Sequence, residues 1–203
     1  MWQEHILNIF FPKFCFGCKK EGDYLCEDCK ATLEISGFHE KYQTKYLSDL
    51  YFALRYDKPL IKKLIKSFRN EPFIKELSKP LASLILNHFQ LLDNEPNLSD
   101  FSLIPMPITK KELKWRGYNP AEEIAKELSG FSKIPLILDC LTKGKQTLFI
   151  ENKEAIQNKN IVLVNDIYET DSMIEEATRA LKEAEVKEVM GVVVARLKPG
   201  ENP

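Results

Sequence analysis

Residues 161–173 read Ile-Val-Leu-Val-Asn-Asp-Ile-Tyr-Glu-Thr-Asp-Ser-Met, and this stretch decides the fold class. An apolar run rich in β-branched residues ends in a polar turn that contains acids, and a helical pattern follows from Ser172 to Glu185. Such a run is typical of a buried parallel strand, which delivers a ligand-binding loop at its carboxyl end. We therefore predict that anions bind at this turn, beside the N-terminus of the next helix.

Hydrophobic periodicity places further elements around this segment. The last two strands and the helix between them form one βαβ unit, which predicts a parallel sheet. We predict strands over Leu50–Tyr56, Phe101–Ile104, Pro135–Leu138 (weak), Asn160–Val164 and Glu188–Ala195. We predict helices over Trp2–Phe11, Pro59–Phe68, Pro72–Leu92 (broken near Pro80) and Ala121–Leu128.

The overall charge excludes a global electrostatic attraction to nucleic acid or membrane, because the 29 basic residues are balanced by 30 acidic ones. The charge is unevenly distributed, however: residues 53–69 carry six bases and one acid, whereas residues 165–188 carry eight acids and three bases. No apolar run approaches the roughly 20 residues of a membrane helix. The N-terminus lacks a basic region and carries Glu4, so it is a poor signal peptide, and we expect a cytoplasmic protein.

Four cysteines form two Cys-x-x-Cys pairs near the N-terminus. Cys15 and Cys18 make the first pair, and Cys26 and Cys29 make the second, with seven residues between the pairs. This spacing predicts a tetrahedral Zn²⁺ site, which would be structural because four thiolates leave no open coordination position. A redox or disulfide role is the alternative. The fifth cysteine, Cys140, is predicted to be a small buried apolar residue.

A second notable segment follows the predicted strand that ends at Ile104. Pro105-Met106-Pro107 stiffens the chain there, and a basic stretch with two aromatic residues comes next. Such a stretch can bind a diphosphate, or single-stranded nucleic acid through charge and stacking. The alternative is a solvated loop. The candidates in this segment are Lys110, Lys111, Lys114, Trp115, Arg116 and Tyr118, and those on the predicted helix 59–68 and just after it are Lys62, Lys63, Lys66 and Arg69.

Taken in order, these segments resemble the ComF competence-protein family. The matching segments are the cysteine pairs after Phe11-Pro12, Tyr56 with the basic helix, Ile104-Pro105-Met106-Pro107, Trp115-Arg116-Gly117-Tyr118-Asn119, and residues 161–173 with the closing Val194-Ala195-Arg196. The resemblance implies an α/β, type I phosphoribosyltransferase-like fold, with a mostly parallel sheet between helices. It also implies a small N-terminal zinc ribbon. We expect residues 1–35 to form the N-terminal helix and ribbon, and residues 36–203 to form the phosphoribosyltransferase-like domain.

In that enzyme family the loop after the strand binds phosphoribosyl diphosphate (PRPP) with Mg²⁺. The resemblance places the loop at Asn165, Asp166, Glu169, Thr170, Asp171 and Ser172, and it places Pro105, Met106 and Arg116 on the diphosphate side. The sequence departs from the family loop, because two acids, Glu169 and Asp171, would lie beside a phosphate, and like charges repel. Met173 also replaces a hydroxyl donor. We assign no catalytic residue and expect transferase activity to be absent or weak.

The resemblance implies three functions. The first is a factor in natural transformation that handles incoming single-stranded DNA on the cytoplasmic side, at the inner face of the membrane through its partners. The second is a working phosphoribosyltransferase that uses Mg–PRPP. The third is a docking module of the DNA-uptake machinery, whose zinc ribbon binds a partner such as a helicase.

Overall fold

The computed structural model of the chain describes residues 12–37, 39–41, 46–144, 147–168 and 171–197. In these ranges, five strands form one sheet in the order β1-β2-β7-β6-β3. Strands β2, β7, β6 and β3 run parallel, and the two-residue β1 pairs antiparallel with β2. The mostly parallel sheet predicted from the sequence is confirmed. The strands are β1 (Glu40–Lys41), β2 (Asp49–Arg55), β3 (Phe101–Pro105), β6 (Asn160–Tyr168) and β7 (Glu188–Arg196).

Six α-helices and a small hairpin complete the described part of the chain. The hairpin consists of β4 (Leu141–Lys143) and β5 (Leu148–Ile150), which pair antiparallel. A 3₁₀ turn at Lys75–Leu77 leads into the third helix. The helices are α1 (Glu27–Ala31), α2 (Pro59–Arg69), α3 (Ser78–Gln90), α4 (Lys110–Arg116), α5 (Pro120–Ser132) and α6 (Asp171–Glu183).

Helices cover both faces of the sheet. The apolar stripes of α2, α3 and α5 pack on one face, where Phe68, Ile85 and Ile124 are fully buried. Helix α6 and the hairpin pack on the other face, around Leu181 and Ile156. This arrangement leaves the carboxyl ends of the parallel strands together at one end of the sheet, where open α/β folds bind their ligands.

The four-cysteine segment shares the core of the sheet. Leu25 is 5% exposed and belongs to the same buried cluster as α2 and α3. The segment is also fixed by polar contacts: Ser36 N–H donates to the Ala53 carbonyl at 2.8 Å, and Lys58 Nζ lies 2.6 Å from Glu34 Oε2. The N-terminal segment and the sheet are therefore packed together at a hydrophobic contact.

Several element predictions need correction. The predicted helix Pro72–Leu92 is wrong at its start, since the α-helix begins at Ser78. It also continues through Pro80, which lies in the first turn, where N–H groups have no helical acceptor. The segment expected to form a strand at Pro135–Leu138 makes only a single parallel bridge, between Leu136 and Leu103. The predicted helix Trp2–Phe11 lies outside the described residues.

The sequence analysis predicts no helix for the residues after Pro107 and offers a solvated loop as the alternative, but these residues form helix α4. Thr109 accepts a hydrogen bond from Glu112 N–H at 3.2 Å, and Glu112 Oε2 accepts from Thr109 N–H at 2.8 Å. These two bonds make a capping box, which begins the helix. Gly117, with a φ of 83°, ends it in the left-handed conformation that glycine tolerates best.

No helix among the described residues is long and apolar enough to cross a membrane.

Candidate functional site

A cavity of about 200 Å³ lies at the carboxyl ends of the parallel strands. Its walls come from the ends of β3 and β6, the last residue of α2, helix α4, and the starts of α5 and α6. The structure thus brings the predicted loop and the predicted basic segment to one place. The charged lining residues are Arg69, Glu112, Arg116, Lys143 and Asp166.

Asp166 is the buried acid of this cavity, with 3% of its surface exposed. Its Oδ1 accepts a hydrogen bond from Ile167 N–H at 2.9 Å, and its Oδ2 lies 3.3 Å from Arg69 Nε. The neighbouring Asn165 donates from Nδ2 to the Ile167 carbonyl at 2.9 Å. Both polar side chains therefore brace the end of β6 as well as lining the cavity.

Of the remaining loop candidates, the structure describes only some. Glu169 and Thr170 lie outside the described residues. Asp171 and Ser172 are the first two residues of α6. Met173, predicted to replace a hydroxyl donor, lines the cavity with its side chain 37% exposed. Within the described ranges, β6 ends at Tyr168 and α6 begins at Asp171.

Helix α4 supplies two charged residues to the cavity. Glu112 is partly buried, which raises the pKa of its carboxyl. Hydrogen bonds from Thr109, together with the charges of Lys143 and Arg116, outweigh this effect and hold the pKa below its usual value. Arg116 Nε is buried and has no hydrogen-bond partner within the described ranges. The arginine therefore keeps a donor for a ligand.

The Pro-Met-Pro segment reaches the cavity through Met106, which is 2% exposed. Asn119 fixes this segment, because its Nδ2 donates to the Met106 carbonyl at 2.9 Å while its Oδ1 caps α5 by accepting from Ala121 N–H at 3.1 Å. Pro105 lines a neighbouring cavity of about 290 Å³ instead. Of the three diphosphate-side candidates, Met106 and Arg116 thus share a cavity with Asp166.

The nucleic-acid candidates divide by exposure. On α2, Lys63 and Lys66 are exposed, whereas Lys62 lies over the Tyr56 ring, 5.5 Å from its centroid. Arg69 faces Asp166 in the cavity. On α4, Lys110, Lys111 and Lys114 are exposed, and Trp115 is 58% exposed.

The two aromatic candidates play different roles. Trp115 packs edge-on against Phe73, with centroids 4.9 Å apart, and keeps most of its surface open for stacking. Tyr118 is only 6% exposed, and its hydroxyl donates to the Phe68 carbonyl. Tyr118 therefore offers no accessible ring, and it instead ties the end of α2 to the segment after α4.

The four cysteines form a compact cluster. Their Sγ atoms all lie within 4.8 Å of one another, and Cys18 Sγ is 3.6 Å from Cys26 Sγ. Four sulfurs at 2.3 Å from a tetrahedral Zn²⁺ lie about 3.8 Å apart, so the cluster fits this ion. Burial raises the pKa of Cys15, but N–H groups of Cys26, Cys18 and Gly17 lower it to about 6. These residues could bind a metal such as zinc.

Comparison with known proteins adds a sequence relationship. No family model matches the chain. Over 93 residues it is 31% identical to the competence protein ComFC of Bacillus subtilis (strain 168). The chain is ComF-like. The match covers 41% of this chain and 39% of ComFC, so the ComF-like chain spans about two-fifths of the relative's length.

Solved phosphoribosyltransferases also align with this ComF-like chain. A hypoxanthine phosphoribosyltransferase from Staphylococcus aureus is 14% identical with a TM-score of 0.38, over 64% of this chain and 75% of the enzyme. A purine phosphoribosyltransferase from Pyrococcus horikoshii Ot3 is 17% identical with a TM-score of 0.36, over 66% of this chain and 93% of the enzyme.

Sequence reasoning missed two charged lining residues, Glu112 and Lys143. The pattern Thr-x-x-Glu at 109–112 could have indicated Glu112, because it is the capping-box pattern. Nothing in the sequence marks Lys143, which reaches the cavity from the short strand β4. Cys140, by contrast, is 1% exposed, as predicted for a buried apolar residue.

Proposed function

We propose that this ComF-like protein handles single-stranded DNA during natural transformation, on the cytoplasmic side of the membrane. Its further partners in this proposal are DNA-uptake proteins such as a helicase. One observation carries the proposal: the Tyr118 hydroxyl donates to the Phe68 carbonyl, 50 residues away in the chain. The basic helix α2 and the basic helix α4 are thereby held at one end of the molecule.

The accessible charges of this surface suit a DNA backbone. Five exposed lysines lie on the two helices, and the overall charge of the chain is only −1, so the attraction is local. Lysine contacts to phosphates give sequence-independent binding that weakens with salt. Trp115 adds an exposed ring for base stacking. The exposed lysines are Lys63, Lys66, Lys110, Lys111 and Lys114.

Zinc has a structural role in this proposal. Cys15, Cys18, Cys26 and Cys29 would supply all four ligands, so the ion has no position for substrate. The ion would instead hold the segment that packs Leu25 against the core and Glu34 against Lys58 at the start of α2. The metal thereby supports the helix that carries Lys63 and Lys66.

The test is the salt dependence of oligonucleotide binding, followed by fluorescence anisotropy. Replacing Lys110, Lys111 and Lys114 together by Gln should weaken binding and flatten the slope of log K against log salt by roughly 2, since each lost phosphate contact removes about 0.7 for a single strand. The control replaces three other exposed lysines, Lys133, Lys159 and Lys187. Equal affinity and slope in the two triple variants would refute the role of this surface.

A second candidate is phosphoribosyl transfer, which the cavity itself favours. Asp166 and Arg116 line it beside the start of α6, and the family resemblance assigns Asp166 to the ribose and Arg116 to the diphosphate side. When bound, Mg²⁺–PRPP would supply the leaving diphosphate. Calorimetry with Mg²⁺ and PRPP tests this alternative. Heat of binding that disappears in Arg116→Gln would support it, and no binding at millimolar PRPP would exclude it.

A further inference from the structure

Two adjoining cavities form a groove along helix α3. One cavity, of about 520 Å³, lies at the start of α3 against the four-cysteine segment, and the other, of about 430 Å³, lies at the end of α3. Phe131, near the end of α5, lines both cavities, so they meet at this residue. We call the two cavities together the α3–α5 groove. Its lining residues on one face of α3 recur at helical spacing and are Lys79, Ser83, Leu86 and Gln90.

The α3–α5 groove is long enough for a short helix. Helix α3 has 13 residues and borders the groove from its first residue to its last, which is about 20 Å at roughly 1.5 Å per residue. The helix predicted for Trp2–Phe11 would be about 15 Å long by the same rise. A helix of this length therefore fits within the groove.

The cavity at the end of α3 is apolar and reaches the core. Leu103, Val162 and Val192, which project from three strands of the sheet, form its floor. Among its described lining residues, Glu95 is the only charged one. A ligand with an anionic head group would thus meet no cation here, whereas large apolar side chains would extend the core.

The residues before Pro12 are attached at one end of this groove. The described chain begins at Pro12, and Lys13 already lines the cavity at the start of α3. A helix of about ten residues is only marginally stable alone in water, so it needs a surface on which to pack. The segment 2–11 has six large apolar residues for such packing: Trp2, Ile6, Leu7, Ile9, Phe10 and Phe11.

We propose that residues 2–11 dock as an amphipathic helix in the α3–α5 groove of their own chain. The face that carries Trp2, Ile6 and Ile9 packs into the groove, and the face that carries Glu4 and Asn8 points to solvent. Because the segment enters beside Lys13, its far end with Trp2 lies in the apolar cavity. The inference goes beyond the proposed function and does not depend on it.

Trp2 reports on this docking in the full chain. The chain has two tryptophans, so Trp115→Phe leaves Trp2 as the single emitter. We expect blue-shifted emission from Trp2. We also expect iodide to quench it about three-fold less than in the urea-unfolded chain, because a charged quencher does not enter an apolar groove. Quenching as strong as in urea would overturn the proposal.

A matched pair of variants assigns the protection to the groove. Phe131 is 52% exposed and lines both cavities, whereas Phe149 is 53% exposed and lines neither. Phe131→Glu should abolish the protection of Trp2, and Phe149→Glu should preserve it. Thermal melting checks that both variants are folded. Protection that survives in Phe131→Glu would place the segment elsewhere and overturn the proposal.

Photo-crosslinking locates the segment independently. With p-benzoyl-phenylalanine in place of Ile6, we expect crosslinks within one chain to residues 79–90 or 127–134, identified by peptide mass spectrometry. The same group in place of Asn8, on the opposite face, should give few. Crosslinks to other parts of the chain would overturn the proposal. Crosslinks between two chains, or protection of Trp2 that is lost on dilution, would assign the groove to a second copy and overturn it as well.

Discussion

Arg69 Nε lies 3.3 Å from Asp166 Oδ2, which joins the last residue of α2 to the carboxyl end of β6. Asp166 is nearly buried and Arg69 is 27% exposed in its side chain. The pair therefore neutralises a buried acid at the carboxyl end of β6. It also fixes the position of α2 relative to the cavity.

Breaking this pair should destabilise the protein. Arg69→Met removes the cation from a buried carboxylate, and we expect a loss of about 2 kcal/mol in the free energy of unfolding. This figure is below the usual 3–5 kcal/mol for a buried pair because Arg69 is partly solvated. Urea denaturation measures it. Adding Asp166→Asn should recover part of the loss, and Arg55→Met, an exposed arginine at the end of β2, should change stability by less than about 0.5 kcal/mol.

Gly17 should be required for metal affinity. A Cβ atom at this position would lie 2.6 Å from Cys29 Sγ, so Gly17→Ala must displace a ligand sulfur. We expect Zn²⁺ affinity to fall at least about ten-fold, because ligand geometry sets the stability of such sites. Competition with a chromogenic chelator measures this. The control is Gly130→Ala in α5, where an added Cβ meets nothing within 4 Å and should raise stability by about 0.5–1 kcal/mol. Unchanged zinc affinity in Gly17→Ala would contradict the predicted ligand geometry.

His88 should make the protein less stable in mild acid. Burial lowers the pKa of His88, which is only partly offset by the Ser36 carbonyl 2.6 Å from Nδ1, and His39 lowers it further. The unfolded chain then binds a proton more readily than the folded one. Stability is therefore complete above the unfolded pKa of about 6.5 and declines as the pH falls toward the lower folded value.

The measurement compares urea denaturation at pH 7.0 and pH 5.5. The loss attributable to His88 is at most about 1.4 kcal/mol per pH unit. His88→Asn keeps a donor for the Ser36 carbonyl but does not titrate, so it should reduce the pH dependence. An equal slope in both proteins would mean that other groups cause it.

Removing the metal should lower the stability of the whole chain. Leu25 lies in the core that contains α2 and α3, so unfolding of the cysteine segment would expose that core. With a chelator we expect one cooperative melting transition at a lower temperature. Cys140→Ala leaves the cluster intact and should respond in the same way. An unchanged melting temperature after verified metal loss would show that the segment and the sheet fold independently.

The sequence was most informative where one periodicity dominates. The β-branched run at 161–164 predicted a buried parallel strand, and the structure has it in β6 between two parallel neighbours. The cysteine spacing likewise predicted four sulfurs close together, which is confirmed. In both cases neighbouring residues in the chain carry the whole pattern.

The site was less predictable because its contacts join distant segments. Arg69 and Asp166 are 97 positions apart in the sequence, and their pairing depends on how α2 packs on the sheet. Helix α4 has only seven residues, none of them buried, so it lacks the apolar stripe by which periodicity identifies a helix, and only the capping pattern at 109–112 marks its start. The hairpin β4–β5 is too short for period-two alternation to identify it.

The capping box of α4 also controls which charges the cavity presents. Glu112 is bound to Thr109 through both the N–H and the hydroxyl, at 2.8 Å and 2.7 Å. Without Thr109, this carboxylate would be able to turn toward Arg116 and Lys143 and occupy them as an internal competitor. A threonine at the start of a helix thus fixes the orientation of one of the carboxylates that line the cavity.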